Sequence, residues 1–146
     1  MVTTLGKSVP PQAIETFSLI EMDTPVNATI GTPFTVTIRI TEQDGSSQDL
    51  IWDFFRDNGG ELKIDLYADT IGPGTDLQLL THTEALVPGQ DAYTIDLKDD
   101  TTLNSPTFPA TAVQGVYELA AVITVRFGGV STPLSAFVGD VILQVS

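Results

Sequence analysis

The chain has 146 residues, about 42% of them apolar, no cysteine, and nineteen acidic side chains against six basic ones for a formal net charge of −13. One domain with a core that stands without disulfides or metal fits that length, and the lack of cysteine excludes disulfides, thiolate metal sites, iron–sulfur clusters and cysteine nucleophiles. The acidic field repels nucleic acid and anionic membranes, and no stretch approaches the ~18 consecutive apolar residues of a membrane-inserted helix.

In chain order, residues 1–13 read as an N-terminal arm. They carry Pro10 and Pro11 and no apolar run of signal-peptide length. If Met1 is the native start, the expectation is a cytoplasmic protein or export without a cleaved signal. If a signal peptide was removed, the expectation is extracellular or cell-surface. Both alternatives stay open. Residues 14–146 read as a single domain in which Gly and Pro punctuate runs of Val, Ile, Thr, Phe and Tyr, the pattern of an all-β protein. Ile14 to Met22 is the first expected strand. Phe34 to Thr41 is the clearest: Phe34, Val36, Ile38 and Ile40 fall on one face, and Thr35, Thr37, Arg39 and Thr41 on the other. Gly31 and Pro33 precede it, and Asp44-Gly45 ends it.

The segment from Ser46 to Asn58 departs from this pattern. It clusters Trp52 with Phe54, Phe55 and Arg56. Ser47 can cap a short helix near 47–57, and an irregular strand in a long connection is the alternative. Strands are then expected at Leu62 to Ala68, Leu77 to Ala85 and Ala92 to Lys98, the last after a Pro88-Gly89 turn. Val116 to Phe127 has Tyr117, Leu119, Ala121, Ile123, Val125 and Phe127 on one face. Both its faces are fairly apolar, as in a central strand. Gly128-Gly129 turns the chain, and Ser131 to Ser146 returns it as a C-terminal hairpin. The total is about seven strands, as in a small Greek-key sandwich. The expected core is Phe34, Val36, Ile38, Ile40, Leu62, Ile64, Leu66, Ile95, Leu97, Tyr117, Leu119, Ile123, Val125, Val141 and Leu143.

Two stretches, Gly31-Thr32-Pro33-Phe34-Thr35-Val36-Thr37-Ile38 and Gly115-Val116-Tyr117-Glu118-Leu119-Ala120-Ala121, resemble the second and sixth strands of immunoglobulin-like domains of the bacterial surface-protein kind. The resemblance implies an immunoglobulin-like Greek-key β-sandwich. It implies that Tyr117 forms a tyrosine corner, its hydroxyl bonded to upstream backbone. It places Leu119 and either Ile38 or Val36 where antibody domains carry their cysteines. It specifies architecture rather than activity. The chain departs from antibody domains in lacking both cysteines and a tryptophan on the strand from Leu62 to Ala68.

Little in the chain marks chemistry. His82 is the sole histidine and no Gly-x-Ser-x-Gly elbow accompanies it, so it reads as a strand histidine among threonines. The carboxylates are so many that no catalytic pair stands out. Calcium needs several loop oxygens. Asp53 with Asp57, Asn58 and Gly59, and Asp99 with Asp100, are the candidate loops, but no EF-hand spacing occurs and solvated turn carboxylates are the adopted reading. Gly59-Gly60 and Gly128-Gly129 read as turn glycines, since no phosphate-binding fingerprint is present. Asn27-Ala28-Thr29 matches a glycosylation sequon by chance. Trp52, Phe54, Phe55 and Arg56 are of the types enriched at binding hot spots, and are the candidate binding residues. The alternative is that they plug one open end of the sandwich. The expectation is a non-enzymatic structural or protein-interaction module without a cofactor or resident metal. Its partner is a protein, and a second copy in a homo-oligomer or filament is one such partner. The alternative is a carbohydrate- or calcium-binding accessory module.

Overall fold

The computed structural model describes residues 18–42, 54–71, 76–127 and 130–146. Among them run eight strands: β1 (Ser18–Asp23), β2 (Asn27–Ala28), β3 (Thr37–Glu42), β4 (Glu61–Thr70), β5 (Leu77–Ala85), β6 (Ala92–Asp96), β7 (Gly115–Phe127) and β8 (Val130–Val145). They form a three-stranded sheet, β1-β3-β6, and a five-stranded sheet, β2-β8-β7-β4-β5. In immunoglobulin lettering the first is A-B-E, and β8, β7, β4 and β5 stand in the order G-F-C-C′. The molecule is an all-β, immunoglobulin-like sandwich, and a helical turn stands at 54–57 among the described residues.

Period-two alternation explains the layers. On β3, Ile38 and Ile40 are fully buried, while Arg39 and Thr41 face outward. Leu62, Ile64, Leu66 and Ala68 of β4 are equally buried, as are Tyr117, Leu119, Ala121, Ile123 and Val125 of β7. Register keeps these sets together: Ile38 stands opposite Met22 and Ile95, and Leu66 opposite Leu80 and Ala121. The core divides into two clusters. The larger joins β3, β4, β6 and the second half of β7. The smaller joins Ala28, Ala68, Phe108, Tyr117, Leu119, Leu143 and Val145. Each buried Leu, Ile or Val stabilises by about 1.5–3 kcal/mol, so burial outweighs exposed ion pairs such as Arg39 with Asp23.

Several sequence expectations need adjustment. The ladder of β3 begins at Thr37, because the Phe34 amide donates to the Pro106 carbonyl at 3.0 Å and the Gly31 amide to the Phe108 carbonyl at 2.9 Å. This draws residues 31–34 toward the β6–β7 connection. Phe34 and Val141 are half-buried, whereas the other thirteen expected core residues are buried. Phe108, Tyr93, Leu80, Leu86 and Val145 join them unforeseen. Leu119 sits in the smaller cluster and Val36 and Ile38 in the larger, so these residues do not meet as a cysteine pair would. The end of the last strand is covered by β2, which pairs with it in parallel at Gln144 and Val145. The arm at 1–13, residues 14–17 of the first strand, Ser47 and the two turns Asp44-Gly45 and Gly128-Gly129 lie outside the described residues.

Candidate functional site

Of the four residues singled out from sequence, Trp52 lies outside the described residues. The helical turn at 54–57 separates the other three. Phe54 is 53% exposed. Phe55 meets it edge-on at 5.8 Å and packs inward against the larger core cluster. Arg56 is buried, with 7% of its surface accessible. The Arg56 guanidinium donates to both carboxylate oxygens of Asp57 at 2.9 and 3.2 Å, and to Asp91 at 2.5 Å.

This ion-paired group ties the helical turn to the β5–β6 turn. Asp57 also accepts the Gly89 amide at 2.9 Å. The Arg56 hydrogen bond, followed by that amide, holds the Asp57 carboxyl below the usual carboxylate range. Beside it the Tyr93 hydroxyl accepts from the Val87 amide at 2.6 Å and donates to the Val87 carbonyl at 3.1 Å. Burial pushes the Tyr93 phenol up. A guanidinium stays protonated throughout the accessible pH range, so Arg56 supplies position and charge here, not proton transfer. Sequence reasoning missed Asp91 and Gly89 because they lie more than thirty residues from Arg56 and only the fold brings them near.

The second polar cluster surrounds His82 on β5. Its register opposite Ile64 turns it to the inner face of an outermost strand. Nε2 lies 3.4 Å from Glu84 Oε1, and Nδ1 lies 3.0 Å from Asp100 Oδ1. That second approach is close but off the hydrogen-bonding direction of the ring nitrogen, which has no hydrogen-bond partner. Asp100 is instead bonded by Thr83, whose amide donates at 2.5 Å and whose hydroxyl donates at 2.8 Å.

The carboxylates considered for calcium are engaged with protein groups. Asp57 holds Arg56 and Gly89, Asp100 holds Thr83, and Asp99 accepts the Thr101 amide and hydroxyl at 2.8 and 2.6 Å. Those two bonds, the hydroxyl first, lower the Asp99 carboxyl. Asp53 lies outside the described residues. Among the described residues no group of three or more His, Asp or Glu is arranged to hold a metal ion, and no helix is long and apolar enough to cross a membrane.

At the opposite end of the sandwich, Tyr117 is buried and its hydroxyl donates to the Val113 carbonyl at 2.6 Å, forming the tyrosine corner. Phe108 lies between Tyr117, at 4.9 Å, and Phe34, stacked at 5.7 Å. These three rings close that end. A lone aromatic between Pro106 and Pro109 was the available sequence signal for Phe108. Nearby, Ile71, Val116 and Ile142 expose 59%, 39% and 50% of their surfaces. Val116 pairs with Gln144 and Glu118 with Ile142, while the Ile71 amide donates to the Val116 carbonyl at 3.2 Å. On the outer face of the five-stranded sheet Val116 therefore lies beside Ile71 and diagonal to Ile142, with Gln144 and Glu118 as the directly opposed residues.

No family model and no curated protein matches the sequence. Among solved structures, superoxide reductase (neelaredoxin) from Ignicoccus hospitalis is similar over 94% of this chain and 92% of its own, at 14% identity and a TM-score of 0.47. A second structure of that protein gives 16% identity over 90% and 85%, with a TM-score of 0.40. The CARDB domain of a Pyrococcus furiosus protein, solved in complex with di-metal ions, gives 15% identity over 88% and 87%, with a TM-score of 0.44. Likeness at this level assigns neither activity nor ligand to this chain.

Proposed function

We propose that this chain is a non-catalytic structural or protein-interaction module that associates with copies of itself. The observation that carries the reading is the exposure of three aliphatic side chains on one sheet face, Val116 beside Ile71 and diagonal to Ile142. Adjoining exposed aliphatic residues mark contact surfaces more often than scattered ones do. The polar groups that enzymes use are engaged in holding the fold: Arg56, Asp57, Asp91 and Asp100 each bond another part of the chain, and Asp99 shapes its own loop.

Light scattering on the purified chain at high micromolar concentration tests this. An assembled species is expected, and Val116→Glu with Ile142→Glu should reduce it while the far-UV spectrum stays β-type. A full-length chain that remains monomeric overturns self-association. The same sample with a calcium chelator should keep its melting temperature. A fall of several degrees would place the calcium-binding module ahead, because a ligand bound only by the native state stabilises it.

A further inference from the structure

We infer that Asp100 is a latch on the outer edge of β5, and that this edge, once unlatched, pairs with β5 of a second copy of the chain. The inference concerns a different surface from the aliphatic patch and does not rest on it. Among the described residues β5 is hydrogen-bonded to β4 alone and ends the five-stranded sheet. Such an edge offers amides and carbonyls to any extended strand. In this antiparallel pair the direction of each amide alternates. The Leu86 amide donates inward, to the Gly60 carbonyl. The Thr83 amide points outward, and so by alternation do those of Thr81 and Ala85. Asp100 occupies the middle one of these three, taking the Thr83 amide at 2.5 Å and the Thr83 hydroxyl at 2.8 Å. An incoming strand has to displace that carboxylate to form its ladder.

The loop that delivers Asp100 is itself held in shape. The Asp99 amide donates to the Asn104 carbonyl at 2.7 Å, and the Asp99 side chain accepts from Thr101. Leu103 closes the loop with a positive φ of 58°, a conformation costly for a branched side chain, while its amide donates to the Asp99 carbonyl at 2.5 Å. The loop thus sits where it does because its own bonds hold it.

A second copy is the occupant the strand favours. Residues 77–85 carry one carboxylate, Glu84, in a chain of net charge −13. A two-fold axis at Thr81 sets Glu84 opposite Gln78, Leu79 opposite Thr83 and Leu80 opposite His82, with no like charges opposed. Screening of the two acidic molecules should then strengthen the pairing as salt rises.

Sedimentation velocity on the full chain, with hydrogen exchange at the Thr83 amide, tests the latch. Asp100→Ala should unprotect that amide in the dilute monomer, protect it again in the dimer, and lower the dimer dissociation constant at least tenfold. Asp100→Asn keeps a side-chain carbonyl for the Thr83 amide and should stay within threefold of the wild type. Adding Thr83→Pro to Asp100→Ala removes the outward amide and should return the chain to the wild-type state. Unchanged association of a folded Asp100→Ala chain overturns the inference, as does a gain that survives Thr83→Pro. A monomeric wild type beside a dimeric Asp100→Ala variant rejects the self-association proposed above and supports the latch.

Discussion

Tyr117 couples the covalent chain to the closure of one end of the sandwich. Its ring touches Phe108, and its hydroxyl reaches the Val113 carbonyl at 2.6 Å. Tyr117→Phe keeps the ring contacts and removes one hydrogen bond, so it should cost about 1 kcal/mol. Chemical denaturation of the variant measures this, and an unchanged midpoint would remove the hydroxyl from the stabilising set. Tyr117 was readable in advance because Gly115-Val116-Tyr117 resembles the opening of the sixth strand of immunoglobulin-like domains. Arg56 was not. The five-residue stretch from Trp52 to Arg56 that read as a candidate binding cluster holds an arginine whose burial depends on Asp91, a residue with no sequence mark of its own.

At the scale of elements, the helical turn at 54–57 and the start of β4 are joined through Gly60. The Gly60 amide donates to the Phe55 carbonyl at 2.8 Å, and its own carbonyl accepts the Leu86 amide at 2.9 Å. A Cβ on Gly60 would lie 2.4 Å from the Phe55 carbonyl oxygen and 3.2 Å from a Leu86 methyl. The first is a backbone atom locked in hydrogen bonding and cannot yield. Gly60→Ala should therefore destabilise by about 1–3 kcal/mol, read as a fall in the thermal midpoint. β5 is Leu77–Ala85, as expected, and β7 begins one residue before the expected Val116, whereas the strictly alternating Phe34 to Thr41 enters its ladder only at Thr37. The two-residue β2 was missed because it has no periodicity to detect. It exists only because the end of β8 offers it a ladder.

For the whole molecule, acid should unfold the chain through specific carboxylates. Hydrogen bonds lower the Asp57, Asp99 and Asp23 carboxyls, from Arg56, Thr101 and Arg39 respectively. A depressed folded value means that the stabilisation is complete above the ordinary carboxylate value of about 3.9 and is lost as pH falls through the folded one. Asp69 works the other way: burial, with Asp76 beside it, raises its carboxyl, so its ionisation opposes folding near neutrality. The denaturation midpoint should fall between about pH 5 and about pH 2, and Asp57→Asn should flatten that slope. An equally steep slope in the variant would move the acid sensitivity elsewhere.

The sequence alone determined the all-β class, the inward faces of β3, β4 and β7, and the tyrosine corner. The class and the inward faces follow from alternation, which acts over neighbouring residues, and the corner from the resemblance of residues 115–121 to an immunoglobulin-like strand. Tertiary structure decided the rest: the sheet order, the burial of Arg56 against Asp91, the insertion of Phe108 between two rings, and the meeting of Asp100 with Thr83. Each of these joins residues that are distant in the chain, and their contacts exist only once two sheets are stacked and their connections folded back across the edges.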